Sequence, residues 1–131
     1  MFITDSDISY TVDTIAKEEV YASNFSGITA SSLDVDHSRI NVKIDCEDIF
    51  SVFGIYADEY VLFENDSEAD FDLRTSGQVY GIAPEGDFSS DNSKVSVKVG
   101  NYDKFGTIGC YGIMCGSFVM KADDLLRKTI A

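Results

Sequence analysis

The sequence is poor in basic residues. It contains 10 Lys and Arg against 23 Asp and Glu, which gives a formal net charge of -13 at pH 7. Direct binding to nucleic acids or to anionic membranes relies on clustered Lys and Arg, so the composition argues against both kinds of partner. A basic protein is a better match, although net negative charge also serves solubility by itself.

Residues for catalysis and metal binding are scarce as well. His37 is the one histidine, and it lies in a polar segment where a solvated loop residue is expected. The sequence has three cysteines, Cys46, Cys110 and Cys115. An odd number fits a reducing compartment better than a disulfide framework. A zinc site would need all four of these residues as ligands. We therefore predict no catalytic residue, no cofactor and no metal site, with a small enzyme built on Cys110 or Cys115 as an alternative.

Long apolar runs are absent too. No stretch reaches the roughly 20 residues that a membrane-spanning helix needs, and the N-terminal residues 1–5 lack the basic and apolar regions of a signal peptide. These features predict a soluble cytoplasmic protein. A length of 131 residues fits one domain.

The apolar pattern predicts an α+β fold in a single domain, residues 1–131, without an internal repeat. Alternating apolar residues or turn-bounded apolar runs predict strands at residues 39–45, 60–64, 78–83, 94–99, 106–114 and 117–120. Residues 28–35 fit either a short strand or a loop. Because turn-forming clusters separate the later strands, we expect mainly antiparallel hairpins.

An N-terminal helix is predicted over residues 4–23. Apolar residues recur there at helical spacing, and Thr4 with Asp7 resembles a capping box. Alternation of apolar residues from Ile8 to Val12 leaves a strand as the alternative.

Two shorter helices are predicted further along the chain. Asp45 is a good N-cap for a middle helix that Gly54 would end. Residues 122–130 carry acidic residues in their first turn and basic residues in their last, which matches the helix dipole.

Negative charge is concentrated between Lys43 and Arg74, where ten carboxylates occur without a basic residue. Five of them occupy every second position: Glu64, Asp66, Glu68, Asp70 and Asp72. A single strand would place all five on one face about 6.7 Å apart. Their mutual repulsion favours an exposed loop around residues 65–69 instead.

A calcium-binding loop starting at Asp66 fails in detail. Its sixth position is Phe71, where the sharp turn needs glycine, and its twelfth is Gly77, where a bidentate Glu belongs. The glycines at 100, 106, 109, 112 and 116 do not form a phosphate loop either. They indicate close strand packing or a subunit interface.

Spaced carboxylates can imitate a nucleic-acid backbone. Duplex DNA presents about one charge per 1.7 Å, so one row spaced by about 6.7 Å is some fourfold too sparse unless other carboxylates lie beside it. The residues predicted to contact a partner are Asp58, Glu59, Glu64, Asp66, Glu68, Asp70 and Asp72.

These observations predict a non-catalytic interaction protein, an acidic inhibitor that blocks a basic, nucleic-acid-binding surface of another protein. In composition the chain resembles anti-restriction and anti-CRISPR proteins and immunity proteins against nuclease toxins. The alternative is a structural or self-assembling subunit, such as a homodimer, that associates through the glycine- and aromatic-rich residues 105–120.

Overall fold

The computed structural model describes residues 1–15, 24–47, 51–75, 77–101, 110–120 and 125–130. Within these ranges the chain forms β-strands and no helix, and hence no helix that could cross a membrane. The strands are β1 (Phe2–Thr4), β2 (Asp7–Ile15), β3 (Asn24–Ala30), β4 (Leu33–Asp36), β5 (Arg39–Glu47), β6 (Ser51–Ala57), β7 (Tyr60–Glu64), β8 (Glu68–Thr75), β9 (Gln78–Pro84), β10 (Asp87–Asp91), β11 (Lys94–Asn101), β12 (Cys110–Ile113), β13 (Ser117–Met120) and β14 (Leu125–Ile130).

The strands form three parallel sheets. Sheet 1 has the order β1-β4-β7-β10-β13, sheet 2 the order β2-β5-β8-β11-β14, and sheet 3 the order β3-β6-β9-β12. Every pair of neighbouring strands in a sheet is three places apart in the chain. The chain therefore winds as a β-solenoid in which each full turn adds one strand to every sheet.

The predicted α+β fold with antiparallel hairpins is wrong, and so is the predicted lack of an internal repeat. Paired residues lie between 26 positions apart, as for Glu68 and Lys94, and 32 positions apart, as for Phe2 and Asp34. Turn-forming clusters direct the chain into the next sheet and do not return it along the same one. For this reason the turns were recognisable in the sequence but the strand partners were not.

The N-terminal helix predicted at residues 4–23 is also wrong where the structure describes it. Asp7–Ile15 is strand β2, in register with β5 along its whole length. Asp5 has a positive φ of 48° and ends β1 in a turn. β-branched residues such as Thr11 and Val12 favour extended backbone, so the strand alternative is correct. Residues 16–23 lie outside the described ranges.

The other two helices are corrected in the same way. Asp45 lies inside strand β5, and Gly54 is buried in the middle of strand β6. Leu125–Ile130 forms strand β14 along the edge of sheet 2. Pairing with neighbouring strands overrides the local helix signals. Residues 48–50 and 122–124 of these predictions lie outside the described ranges.

Most of the strand predictions are confirmed. Residues 39–45, 60–64, 78–83, 94–99 and 117–120 all fall within observed strands. A turn at Ser31 and Ser32 divides residues 28–35 into the end of β3 and the start of β4. Of residues 106–114, Cys110–Ile113 forms β12, while 102–109 lie outside the described ranges.

A tetrapeptide ending in Gly-Ile marks each strand of sheet 3. It begins at Phe25, Val52, Val79 and Cys110. The glycines lie where neighbouring strands approach closely, because a Cβ on Gly54 or Gly81 would overlap the carbonyl oxygen of the glycine on the next strand. The residue before the glycine points outward, and the rings of Phe53, Tyr80 and Tyr111 stack with centroids 4.7 and 5.2 Å apart.

A second repeated motif follows β1, β4, β7 and β10 of sheet 1 and leads into sheet 2. Asp5-Ser6, His37-Ser38, Asp66-Ser67 and Asn92-Ser93 occupy equivalent turns. The first residue of each pair has a positive φ between 46° and 63°, a conformation that Asn and Asp tolerate better than most residues. The backbone N–H of Ser38 donates to Ser67 Oγ, and that of Ser67 to Ser93 Oγ, both at 3.2 Å. This serine ladder sets the corner between sheets 1 and 2.

The interior is apolar from turn to turn, and side chains of sheets 2 and 3 meet across it. Its largest fully buried side chains are Phe63, Phe71, Phe88, Leu33, Ile40, Ile44, Ile55, Leu73, Ile82, Val35, Val42 and Val52.

Candidate functional site

Sheet 1 and the turns on either side of it carry carboxylates without Lys or Arg. This holds for the described residues 1–6, 31–38, 58–67, 85–93 and 114–120. We call these carboxylates the acidic face: Asp5, Asp34, Asp36, Asp58, Glu59, Glu64, Asp66, Glu85, Asp87 and Asp91. All ten residues are exposed or half-buried. Their charges are therefore available to a partner.

One column of the acidic face consists of carboxylates in register. Asp36, Glu64 and Asp91 are paired positions on β4, β7 and β10. Neighbouring strands lie about 4.8 Å apart, and like charges directly opposite each other are destabilising in sheets. The side-chain amide of Asn65 donates to Asp36 Oδ1 at 2.8 Å and orients that carboxylate.

Hydroxyl groups orient two further carboxylates on the same sheet. The Tyr60 hydroxyl donates to Asp34 Oδ2 at 3.3 Å, and the Ser117 hydroxyl donates to Asp87 Oδ1 at 2.6 Å. The other oxygen of Asp34 is buried and has no hydrogen-bond partner among the described residues. Neutral donors thus hold these side chains in place without cancelling their charge.

The turns from sheet 3 into sheet 1 add exposed carboxylates at the opposite border. The backbone N–H of Gly86 donates to the carbonyl oxygen of Glu59 at 2.8 Å. A Cβ on Gly86 would overlap that oxygen, so only glycine allows the two turns to stack. The Tyr56 hydroxyl donates to Glu85 Oε1 at 2.8 Å, and this hydrogen bond raises the pKa of Tyr56.

The density of charge on the acidic face approaches that of DNA. Ten carboxylates over four turns, each advancing about 4.8 Å along the axis, correspond to about one charge per 1.9 Å. Duplex DNA presents about one charge per 1.7 Å. The carboxylates that a single row lacks are thus supplied by stacked turns of the solenoid.

The outer face of sheet 2 shows a different arrangement, which we call the charge-alternating face. Arg39, Glu68 and Lys94 are in register on β5, β8 and β11. The Glu68 carboxylate lies 3.3 Å from Arg39 Nε and 4.0 Å from Lys94 Nζ. In a second column Asp72 is paired with Lys43 on one side and Lys98 on the other. Cations on the neighbouring strands thus compensate Glu68 and Asp72, whereas Asp70 is paired with Asn41 and Ser96.

The structure divides the seven predicted contact residues between these two faces. Asp58, Glu59, Glu64 and Asp66 belong to the acidic face, whereas Glu68, Asp70 and Asp72 point outward from β8 on the charge-alternating face. The five alternate carboxylates therefore do not share one strand face. The turn predicted at residues 65–69 is shorter than expected, because β8 already begins at residue 68.

Six residues of the acidic face were not among the predicted contact residues: Asp5, Asp34, Asp36, Glu85, Asp87 and Asp91. The signal that would have found two of them, Asp36 and Asp91, is the repeated turn motif ending in serine. Alignment of the chain on Ser6, Ser38, Ser67 and Ser93 places three carboxylates at equivalent positions. Asp36 and Asp91 lie two residues before the serine, and Glu64 lies three residues before it because its turn is one residue longer.

The candidates for catalysis and metal binding remain apart. His37 Nδ1 lies 3.2 Å from Asp5 Oδ1 in an exposed turn. No group of three or more His, Cys, Asp or Glu in the described part of the chain is placed to hold a metal ion. Burial raises the pKa of the half-buried Cys110 thiol, which disfavours the nucleophilic thiolate. The Cys46 side chain lies outside what the structure describes.

Comparison of the chain with protein-family models, curated proteins and solved structures finds no match.

Proposed function

We propose that this chain is a non-catalytic inhibitor that uses its acidic face to bind and block a basic surface of another protein, such as a nucleic-acid-binding enzyme. The observation that supports this function is the acidic face itself: sheet 1 and its flanking turns carry ten carboxylates, no Lys or Arg in their described segments, and a charge density close to that of duplex DNA. Complementary charge raises association rates and rejects partners of the wrong sign.

The proposed contact surface differs in part from the predicted set. It keeps Asp58, Glu59, Glu64 and Asp66 and adds the six further carboxylates of the acidic face. Glu68, Asp70 and Asp72 are left out, because they lie on the charge-alternating face, where basic residues on the neighbouring strands compensate Glu68 and Asp72. We assign Glu68 and Asp72 to the stability of sheet 2.

Two half-buried side chains with apolar surface, Tyr60 and Leu62, lie on β7 among the carboxylates of the acidic face. Protein interfaces gain most of their affinity from a few such side chains at a desolvated centre, while the charged rim governs association. The face therefore offers both parts of an interface. The same charge disfavours direct contact with nucleic acid or anionic membranes.

The cytoplasm is the compartment we propose for this interaction. An odd number of cysteines suits a reducing environment, and nucleic-acid enzymes with exposed basic surfaces act there.

The experiment compares two variants that each lose three negative charges, one from each face. The first carries Asp36→Asn, Glu64→Gln and Asp91→Asn on the acidic face, and the control carries Glu68→Gln, Asp70→Asn and Asp72→Asn on the charge-alternating face. Immobilised wild-type chain captures partners from an extract of its source cell, a salt gradient elutes them, and mass spectrometry identifies them. Affinity of each variant for the captured protein is then measured by titration calorimetry.

We expect a basic nucleic-acid-binding protein, competition by duplex DNA for it, and at least a tenfold loss of affinity in the acidic-face variant. The control variant should stay within about twofold of wild type. Equal losses in the two variants would show that only net charge matters. Capture of no basic protein would remove the proposal.

A further inference from the structure

Exposed large hydrophobic side chains gather at the two ends of the solenoid. Among the described residues they are Met1 (56% exposed) and Phe2 (79%) at the first turn, and Tyr111 (43%), Met114 (52%), Phe118 (44%) and Val119 (43%) at the last strands of sheets 3 and 1. In the turns between these ends, the large apolar side chains that the structure describes are buried or half-buried. Such patches on a soluble chain mark interaction sites.

The ends also leave strand edges open. In the described part of the chain β1, β2 and β3 pair on one side only, and so do β13, β14 and β12 at the opposite end. An edge strand presents unpaired N–H and C=O groups that can pair with another chain. Solenoid turns are stabilised by their neighbours, and an open terminal turn lacks one neighbour.

The two ends match each other in register. On sheet 1 the column that starts with Phe2 runs through Asp34, Leu62 and Ser89 to Val119. If a second copy continued the sheet beyond β13, its Phe2 would follow Val119. Its Met1 would follow Phe118 in the same manner. Exposed apolar side chains would then cover exposed apolar side chains.

The two end strands of sheet 2 also carry opposite net charges. Strand β2 carries Asp7 and Asp13 and no basic residue, whereas β14 carries Arg127 and Lys128 and no acidic residue. The terminal strands of sheets 1 and 3 are uncharged. Pairing of two identical ends would oppose like charges in sheet 2 and would lose the parallel direction of the strands. Pairing of opposite ends avoids both problems.

From these matches we infer that copies of this chain stack head to tail, with β1, β2 and β3 of one copy extending the sheets beyond β13, β14 and β12 of another. An interface between two different surfaces of the same chain leaves one of each surface open, so the association grows linearly. The acidic face would then repeat along the stack. This inference does not depend on the identity of any basic partner.

End-blocked variants test the inference directly. Phe2→Asp places a charge on the first turn, and Val119→Asp places one on the last. Ser89→Asp is the control, since it adds the same charge to the same column on β10, one strand inside the terminal strand β13. Each protein is examined by sedimentation velocity over a range of concentrations, after circular dichroism has shown that it is folded.

Wild type and the Ser89→Asp control should increase in average mass with concentration. Each end-blocked variant should remain a monomer alone, because it keeps only one functional end. An equimolar mixture of the two should form a complex of one copy each and grow no further. A monomeric wild type, or a mixture without complex, would overturn the inference, as would self-association of either blocked variant.

Disulfide trapping provides a second readout of register. In a background with the native cysteines replaced by Ala, one form carries Phe2→Cys and another carries Val119→Cys. Neighbouring positions on paired strands approach closely enough for a disulfide. The mixture should therefore cross-link upon mild oxidation at least tenfold faster than either form alone. Equal rates in the mixture and the single forms would contradict head-to-tail register.

Discussion

The strands of sheets 1 and 2 carry similar numbers of carboxylates, but the charges next to these carboxylates on neighbouring strands have opposite signs. On sheet 2, Glu68 lies between Arg39 and Lys94, so charge alternates from strand to strand. On sheet 1, Glu64 lies between Asp36 and Asp91, so the charges repel. Glu64 and Glu68 are four residues apart in the chain. Their electrostatic surroundings differ because Glu64 pairs with acidic residues and Glu68 with basic residues on the neighbouring strands.

This difference separates carboxylates that stabilise the fold from those that do not. Opposite charges on neighbouring strands contribute about 0.2–1 kcal/mol per pair, and like charges cost a similar amount. The charge-alternating face therefore supports its own folding. The acidic face has no such contribution to stability, which favours a role in binding for its repeated carboxylates.

The largest loss of stability is expected from a substitution that prevents the close approach of neighbouring strands in sheet 3, because both faces depend on the stacking of solenoid turns. In Gly81→Val the new side chain would overlap the Gly112 carbonyl oxygen and the Val97 side chain. We expect a loss of about 3 kcal/mol or more of unfolding free energy, measured by urea denaturation, with loss of both faces. Thr29→Val, at an exposed position on the same sheet, is the control and should stay within about 0.5 kcal/mol of wild type. Similar stabilities for the two variants would contradict the close strand approach.

A smaller effect is expected at the corner that separates the two faces. Ser67 is fully buried, and its Oγ lies 2.7 Å from the Glu64 carbonyl oxygen and accepts the Ser38 N–H. Ser67→Ala leaves that N–H without its partner and should cost about 2 kcal/mol. Thermal and urea unfolding measure this cost. Ser89→Ala, on the outer side of sheet 1, should change stability by less than about 0.5 kcal/mol; equal costs would argue against the serine ladder.

Charge reversal sharpens the comparison because the same substitution should have opposite signs on the two faces. Glu64→Lys inserts a cation between two carboxylates and should stabilise the fold by about 0.5 kcal/mol. Glu68→Lys creates a column of three cations and should destabilise it by about 1 kcal/mol. Urea midpoints at low salt measure both, and high salt should reduce both differences. Changes of the same sign would show that the columns do not control the local electrostatics.

The smallest effect concerns the border between sheet 3 and the acidic face. The hydrogen bond from Tyr56 to Glu85 raises the pKa of Tyr56 above its ordinary value near 10. The neutral hydroxyl is the favoured form, so its contribution to stability is complete below pH 10 and is lost as pH rises through the higher folded pKa. Alkaline titration followed by tyrosinate absorbance counts the tyrosines that ionise. Compared with wild type, Tyr56→Phe should lose one tyrosine from the part of the titration curve above pH 10. Loss of a group that ionises near pH 10 would contradict the hydrogen bond.

Local patterns predicted strands well and helices badly. Residues 39–45 alternate so regularly that only a half-buried strand fits them. From Ile8 to Val12 the apolar residues suit both periods, and capping signals at Thr4 tipped the prediction towards a helix. Asp45 and Gly54 gave equally local signals for a helix end. In the solenoid, pairing with strands from neighbouring turns supplies more stability than a single cap does.

The candidate site was predicted in part for a related reason. Glu64 and Asp66 could be assigned to an acidic surface because they are close in sequence. The corner at Ser67 then turns the chain, so that Glu68 and the carboxylates after it join the next sheet. The recurring Gly-Ile and serine motifs held the missing information, since they align residues that are one solenoid turn apart.

The sequence by itself determined the amount and sign of the charge, the scarcity of catalytic side chains, and which face of several strands is buried. These properties depend on composition and on period-two alternation, which are local. Only the tertiary structure decided that the strands are parallel, that the chain repeats, and which charges become neighbours. Strand pairing joins residues 26–32 positions apart, and the electrostatic surroundings of each carboxylate are set at that distance.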